Sequence, residues 1–410
     1  MSETIRSSIA GAEFLAWPGL MALANTVAVG GDGIRVVGGA VRSTIVGRPV
    51  SDVDLATTAL PETVTRRARD AGFAVHPTGM EHGTVTVVAE GRAFEVTTLR
   101  ADVSTDGRRA TVAFTRDWAA DAMRRDFTVN AIYADLDGDL YDPVGGIPDA
   151  LARQVRFIGD PAARLAEDYL RILRFFRFHA VFGALHINEA GLAACIAARH
   201  GLDQLSRERI GQEMRKLVLG FRGGETLEIM QESGIAGRVL AGVARPATLA
   251  ALGRITRRLE TELTLPLALA GGCAFTEDDA DRLRDRLRLP GREAEEAAAI
   301  LAASRRLGPE PTARMIRAEV YRHGNAVTFA GLLLAAAVAG ADPDLAAVAE
   351  ARDFEAPTFP LGGRDLIAAG MAPGPELGAR LAALEADWVA SDFTEVPTSR
   401  RAAAMDDLGE

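Results

Sequence analysis

The spacing of apolar positions changes about a third of the way along the chain. Up to residue 146 they fall in short clusters. Ile34–Val37 is a brief apolar run that ends on Gly38-Gly39. Val50–Leu55 alternates, with Asp52 and Asp54 on one face and Val53 and Leu55 on the other. Thr84–Val88 and Ala93–Leu99 read as strands separated by a turn at Glu90-Gly91, and Glu13–Val29 and Val64–Ala71 carry helical spacing. From Pro161 onward the pattern is helical and rich in Ala, Leu and Arg. Gly and Pro predict breaks near Gly183, Gly201, Gly220-Gly223, Pro246, Pro290-Gly291, Pro309-Pro311 and Pro357-Pro360. The predicted architecture is α+β: a small mixed α/β head over residues 1–146, a helical neck over 147–220, and a helical body and tail over 221–410.

Length supports several domains, because 410 residues exceed what one compact core usually serves. The formal net charge of −10 argues against coating nucleic acid with the whole surface, yet permits a confined basic groove. Nearly all the positive charge is arginine; Lys216 is the one lysine. Planar guanidinium forks suit phosphates and base edges. Cys195 and Cys273 show no C-x-x-C spacing, so neither a disulfide framework nor a cysteine zinc site is expected. Met1–Ala10 has no basic-then-apolar leader pattern, and the longest apolar stretch, Val327–Gly340, is too short to span a bilayer. These features predict a cytoplasmic protein with no membrane association; no stable protein partner is inferred.

Four stretches concentrate chemistry. In the first, Gly38-Gly39-Ala40-Val41-Arg42 follows a strand and precedes Ser51-Asp52-Val53-Asp54-Leu55. A glycine turn lets backbone N–H groups approach a phosphate, and Arg42 could neutralise it. Asp52 and Asp54, two apart on a strand, point the same way and repel unless a divalent cation lies between them. Mg²⁺, hard and oxygen-liganded, is the natural choice beside a triphosphate. In the second, Glu95 interrupts an apolar strand and is the candidate third carboxylate; the alternative is an edge strand with Glu95 in solvent. In the third, Arg124-Arg125-Asp126-Phe127-Thr128-Val129-Asn130 packs charge and amide groups against apolar ones, so the polar groups are expected to be bonded. In the fourth, Asp160 and Pro161 suit a helix start, and Leu165, Tyr169, Ile172 and Phe176 make a core stripe. Asp168 and Arg171 fall one turn apart on another face, and Arg171, Arg174 and Arg177 could hold a triphosphate or an RNA backbone.

In this order, the four stretches resemble the class II tRNA nucleotidyltransferase and poly(A) polymerase family. The likeness runs from about residue 34 to 216 and takes in Tyr141-Asp142-Pro143-Val144-Gly145-Gly146 and Leu205-Ser206-Arg207-Glu208-Arg209-Ile210. It implies the head-and-neck fold, and a transferase that adds C, C and A to a tRNA 3′ end from CTP and ATP without a nucleic-acid template. Poly(A) addition, or CC-only or A-only addition, remains an alternative within the same family. The resemblance further implies that Asp52 and Asp54 bind Mg²⁺, that Gly39 and Arg42 contact nucleotide phosphates, and that Arg125 and Asp126 recognise ribose. Asp168 and Arg171 would read the base, Arg174 and Arg177 would add nucleotide contacts, Ser206–Glu213 would buttress the neck, and the 221–410 body and tail would bind tRNA. Ser43 departs from the pattern, since many relatives carry Asp after the arginine.

The base-reading idea is chemically sound. Cytosine and adenine each present an amine donor beside a ring-nitrogen acceptor, which a carboxylate and a guanidinium match. Uracil and guanine put a carbonyl where the amine would be, leaving buried groups unpaired. The 102–121 loop is not visibly shortened, which leans towards complete CCA addition. A silent RNA-binding scaffold is disfavoured by the intact Asp52-Val53-Asp54, and a fused metal phosphohydrolase by the lack of any His-Asp dipeptide.

Overall fold

The computed structural model describes residues 8–106 and 109–394. Residues 1–7 of the N-terminal stretch and 107–108 of the 102–121 loop lie outside the described residues. The chain divides into two compact units, Met1–Glu213 and Met214–Glu410. The 147–213 part of the expected neck falls within the first of these.

The first unit is built on a mixed sheet. Its strands are β1 (Ile34–Val37), β2 (Asp54–Thr57), β3 (Ala74–Gly79), β4 (Thr84–Ala89), β5 (Arg92–Thr98), β8 (Tyr133–Ala134) and β9 (Leu140–Tyr141). They lie in the order β3-β4-β5-β2-β1-β8-β9. Among the described residues, only the β2–β5 pair of this sheet is parallel. β6 (Arg100–Asp106) and β7 (Arg109–Phe114) form a separate two-stranded ribbon. The β4–β5 hairpin turns on Glu90 and Gly91, both at positive φ (50° and 74°). Positive φ at both central residues is the turn geometry that matches strand twist.

One sheet face is sealed by α1 (Pro18–Val27) and α3 (Pro61–Asp70) over Val36, Leu55, Val85, Val87 and Val96. The other face carries Arg35, Val37, Asp54, Ala56 and Glu95 by register. Part of it packs as a cluster of Val37, Ala56, Leu99, Ala122, Tyr133 and Ile158, flanked by Trp118. Where that cluster stops, the face is left open at Asp54 and Glu95. The sheet therefore presents a polar end beside an apolar floor.

Between β1 and β2 runs α2 (Gly39–Ile45), and after the ribbon comes α4 (Trp118–Arg124). The remaining helices of the first unit are α5 (Gly146–Leu151), α6 (Pro161–Glu167), α7 (Leu170–Phe182), α8 (Glu189–Ala198) and α9 (Arg207–Val218), which runs across the 213/214 division. Phe127, Phe157, Phe175 and Phe178 join α7 to the head through ring contacts with centroids 4.9–6.2 Å apart.

The second unit is helical: α10 (Gly223–Glu232), α11 (Ile235–Leu240), α12 (Pro246–Arg258), α13 (Leu265–Cys273), α14 (Glu277–Leu287), α15 (Gly291–Leu307), α16 (Ala313–Ala339), α17 (Leu345–Asp353), α18 (Gly363–Ala368) and α19 (Pro375–Ala390). The breaks expected from Gly or Pro fall between helices or at a helix start, except Gly201, which lies in a 3-10 helix over Arg199–Gln204. α16 bends at Gly324, whose φ is +79°. No helix among the described residues is long and apolar enough to cross a membrane. Cys195 and Cys273 are buried thiols without a disulfide.

Three local expectations are corrected. Glu13–Val29 is not one helix: Pro18 has no N–H and pushes Trp17 to extended backbone, so a 3-10 turn over Glu13–Ala16 precedes α1. The strand carrying the aspartates begins at Asp54, so Asp52 sits in the preceding loop. The helix expected to run through Asp168 is broken there, because Asp168 adopts φ −156° and separates α6 from α7.

Candidate active site

The acidic end of the sheet follows from register. Asp54 and Glu95 are direct partners in the parallel β2–β5 ladder, so both side chains leave the same face. β5 lies between β4 and β2, so Glu95 is on an interior strand, not at an edge. Asp52, though off the strand, keeps the alternation: Val53 is buried while Asp52 and Asp54 are exposed. Solvent still reaches Asp54, but the protein atoms crowded around its carboxyl strip away part of its hydration, and this, with the nearby charges of Glu95 and Asp52, pushes it above its ordinary range against the pull of Arg125 and Arg42. Asp52 accepts a hydrogen bond from the Ser51 hydroxyl at 2.9 Å. Among the described residues no set of three His, Cys, Asp or Glu side chains is gathered closely enough to hold a metal by itself.

At the end of β1, Gly38 has φ +72° and its N–H donates to the Ile132 carbonyl (3.2 Å). A side chain at Gly38 would be strained there. Gly39 opens α2, and a Cβ added to it would meet nothing within 4 Å, so its backbone faces open space. The first-turn N–H groups of any helix lack intrahelical acceptors. Arg42 lies against the rings of Phe178 and Phe182 (5.2 and 5.1 Å from its guanidinium carbon), and its Nε is buried without a partner. Burial, and then the like charge of Arg177, bring its pKa down to about 10.

Arg42 also begins a polar chain. It donates to the Asn130 side-chain oxygen; the Asn130 amide donates to Asp126 (2.9 Å); and Asp126 pairs with Arg174 (2.6 Å). Glu213 completes the chain, 3.8 Å from Arg174 and ion-paired with Arg177. Asp126 is buried, which pushes its pKa up, but the charge of Arg174 and hydrogen bonds from Asn130, Arg174 and the Phe127 N–H outweigh this and hold it low. One connected set thus joins α2, the Thr128–Asn130 turn, α7 and α9. Arg125 is held separately by Asp121 (3.0 Å) and the Tyr133 hydroxyl (3.1 Å). That hydroxyl donates to Asp121 at 2.7 Å.

Asp168 and Arg171 do not pair with each other. In the break between α6 and α7, one Asp168 carboxylate oxygen accepts the Leu170 N–H (3.0 Å) and the other binds Arg209 (2.7 Å). Arg171 is bound to Glu167 and to the Arg164 carbonyl (2.7 Å). The core stripe survives the break: Leu165, Ile172 and Phe176 are fully buried, and Tyr169 packs on Gly201, where an added Cβ would come within 2.1 Å of its ring.

Several supporting residues carried no sequence signal strong enough to give them a role. Asp121 and Tyr133 orient Arg125, yet read as ordinary helix and strand positions. Arg164, itself buried, donates to the backbone carbonyl of Arg125 (2.8 Å) and to Glu167. The Arg164, Glu167, Arg171 spacing of three and four was the available hint. Arg209 lay in a recognised stretch but was given no partner.

Comparison with known proteins agrees with this geometry. Residues 34–156 match the model described as "Poly A polymerase head domain", and 184–245 match "Probable RNA and SrmB-binding site of polymerase A". The chain is 34% identical over 390 residues to the zebrafish (Danio rerio) protein named CCA tRNA nucleotidyltransferase 1, mitochondrial, covering 93% of this chain and 89% of that one. The chain belongs to the tRNA nucleotidyltransferase and poly(A) polymerase family. The human relative of the same name is 31% identical over 88% of this chain and 83% of its own. Among solved structures, the Bacillus stearothermophilus CCA-adding enzyme, described in complex with CTP, is 28% identical, with a TM-score of 0.78 over 95% of this chain and 96% of that one.

As a nucleotidyltransferase, the chain combines an acidic sheet end with an arginine and an open glycine backbone next to it. Acid groups of this kind can hold a cation, and the glycine turn with Arg42 can hold an anion. A nucleoside triphosphate accompanied by a divalent cation would meet both needs.

Proposed function

We propose that this nucleotidyltransferase adds C, C and A to the 3′ end of tRNA, taking CTP and ATP and releasing pyrophosphate. The observation that carries the reading is the Asp54–Glu95 register beside the Gly38–Arg42 turn. Supporting it are the zebrafish and human relatives named CCA tRNA nucleotidyltransferase and the stearothermophilus enzyme described with CTP.

Asp52 and Asp54 would hold Mg²⁺. Their neighbourhood fits it: the donors are hard carboxylate oxygens at one end of the sheet, and lost hydration followed by the charge of Glu95 raises the Asp54 pKa, a strain that a bound cation would relieve. When bound, the ion supplies positive charge at the phosphates and activates the RNA 3′-hydroxyl for attack on the α-phosphate. The remaining work falls to the chain. The Gly39 backbone and Arg42 bind phosphate oxygens. Arg125 and Asp126 meet the ribose, with Arg174 and Arg177 fixing that wall. Asp168 accepts from the exocyclic amine of cytosine or adenine while Arg171 donates to the ring nitrogen. For both to do so they must exchange their present partners, Arg209 and Glu167, for the base.

Extension of a tRNA that lacks its terminal C, C and A is the test. CTP alone should add two residues, CTP with ATP three, and ATP alone none. Repeated ATP addition would make it a poly(A) polymerase, and a stop at two with both nucleotides a CC-adding enzyme. Asp52→Ala and Asp54→Ala should each abolish extension in a folded protein; normal extension by either would overturn the metal assignment.

A further inference from the structure

The open face of the sheet continues past the acidic end and carries side chains with no role in the chemistry above. Register sets four of them in one row. His76 on β3 is paired with Thr86 on β4, Thr86 with Glu95 on β5, and Glu95 with Asp54 on β2. Directly paired residues project from the same face, so the two carboxylates end a polar row that starts at the edge strand β3. Beside it, on the Asp52 side, Ala74, Val88 and Ala93 are also register partners and make a flat apolar strip. α1 and α3 cover the opposite face of these strands. On the open face His76, Ala74, Ala93 and Glu95 are exposed, and Thr86 and Val88 are half-buried.

A polar open face is ordinary for antiparallel strands. Two features set this one apart. It is continuous with the carboxylates, and its row is uncommitted. Among the described residues, His76, Thr86, Glu95 and Asp54 have no side-chain hydrogen bond or ion pair, whereas Thr84 and Thr97, the next pair along the same face, bond to each other at 3.0 Å. The direction of the reaction decides what belongs there. Transfer at phosphorus is an in-line displacement, so the attacking hydroxyl and the leaving pyrophosphate lie on opposite sides of the α-phosphate. The Gly38–Arg42 turn follows β1, which borders β2 on one side, while β5 borders it on the other. With the phosphates held at Gly39 and Arg42, the pyrophosphate leaves on the β1 side, and the hydroxyl arrives over β5.

We infer that Thr86 and His76 bind the end of the RNA strand that is being extended. The terminal ribose lies over Glu95 and Thr86, with the Thr86 hydroxyl bonded to its 2′-hydroxyl and its base on the apolar strip. His76, two strands or about 10 Å from Glu95, donates to the phosphate behind that nucleotide. The inference rests on the tRNA reading above and deepens it, by naming residues that position the nucleophile. A hydroxyl that meets the 2′-hydroxyl is also what tells an RNA end from a DNA end.

The test is steady-state addition of A to tRNA ending in CC by the full-length protein, with Mg²⁺ present, against the same tRNA carrying a 2′-deoxy terminal ribose. Thr86→Val keeps the shape of the side chain and removes its hydroxyl. It should raise the KM for the all-ribose tRNA up to about tenfold, the scale of one hydrogen bond, and leave the KM for ATP unchanged. It should also bring the two tRNAs to within about twofold of each other. Thr86→Ser should restore the difference. His76→Ala should raise the KM for both tRNAs alike, and His82→Ala, on the turn before β4, should change neither. Melting temperature checks folding, and His76, exposed on an edge strand, carries the test if Thr86→Val does not fold. An unchanged KM for tRNA in Thr86→Val and His76→Ala, or a raised KM for ATP in its place, would overturn the assignment of this face while A addition by the wild type keeps the tRNA reading intact. A wild type indifferent to the 2′-hydroxyl would overturn the role of Thr86. A wild type that adds no nucleotide to tRNA would overturn the tRNA reading itself.

Discussion

Asp126→Asn tests whether the polar chain that links the glycine turn to α7 acts as one unit. The change keeps the shape of the side chain and removes its charge. Asp126 is buried and bonded to Arg174 at 2.6 Å, to Asn130 and to the Phe127 N–H at 2.9 Å. Removing one partner of a buried ion pair costs about 3–5 kcal/mol. Here Arg174 is 34% exposed and Glu213 remains 3.8 Å away, so the lower end, about 3 kcal/mol, applies. The readout is hydrogen exchange by mass spectrometry on peptides covering 170–182, with peptides of the second unit as internal reference. A loss of about 3 kcal/mol corresponds to roughly hundredfold faster exchange. Arg174→Met in the Asp126→Asn background should cost less than the sum of the two single changes, by about 1–3 kcal/mol, because the orphaned charge is gone. The pH dependence has a definite sign. A carboxyl held below its ordinary range stabilises the fold above the unfolded pKa of about 4, and that contribution is lost as pH falls through its lower folded value. The gap between wild type and Asp126→Asn should therefore close only in strong acid. Additive single and double changes, or unchanged exchange over 170–182, would refute the idea of one connected unit.

Asp54 behaves in the opposite sense: its raised pKa penalises the fold once pH exceeds about 4, so Asp54→Asn should raise the melting temperature at pH 7, and this gain should vanish below pH 4. Glu95→Gln removes the negative charge that acts most on Asp54, so the acid limb of extension activity should move to lower pH; a limb that stays put would show that Glu95 does not act on Asp54. In competition between CTP and UTP on one tRNA, Asp168→Ala should raise the share of UTP, each lost charged hydrogen bond being worth roughly 1–3 kcal/mol of preference; an unchanged ratio in both Asp168→Ala and Arg171→Ala would remove the base-reading role. Gly146→Ala places a Cβ 2.2 Å from the Thr128 carbonyl oxygen and should destabilise the first unit by more than about 3 kcal/mol, read as lost thermal stability.

The sequence by itself determined the elements whose cause is local. Apolar runs bounded by glycine marked β1, β4 and β5, and the Glu90-Gly91 turn was legible because a two-residue hairpin favours positive φ. Asp160 capping and Pro161 at the first turn located α6, and the proline and glycine breaks of the second unit all held. The Asp-x-Asp spacing, the Gly-Gly-x-x-Arg turn and their order along the chain were enough to identify the family before any distance was known.

Tertiary structure decided what depends on residues far apart in the chain. The apolar strand that Glu95 interrupts made it a candidate third carboxylate, but the register that puts it directly opposite Asp54 could not be read locally, because a parallel pairing is set by which strands the core brings together. Arg42, Asn130, Asp126, Arg174 and Glu213 span 171 positions of sequence, yet form one chain of contacts, since buried charges must find partners wherever packing supplies them. Asp168 shows the limit of periodicity most plainly. Helical spacing predicted that it would share a face with Arg171. Its short carboxylate instead accepts the Leu170 N–H and takes Arg209 from 41 residues away, because local hydrogen bonding and a distant cation together outweigh continuing the helix.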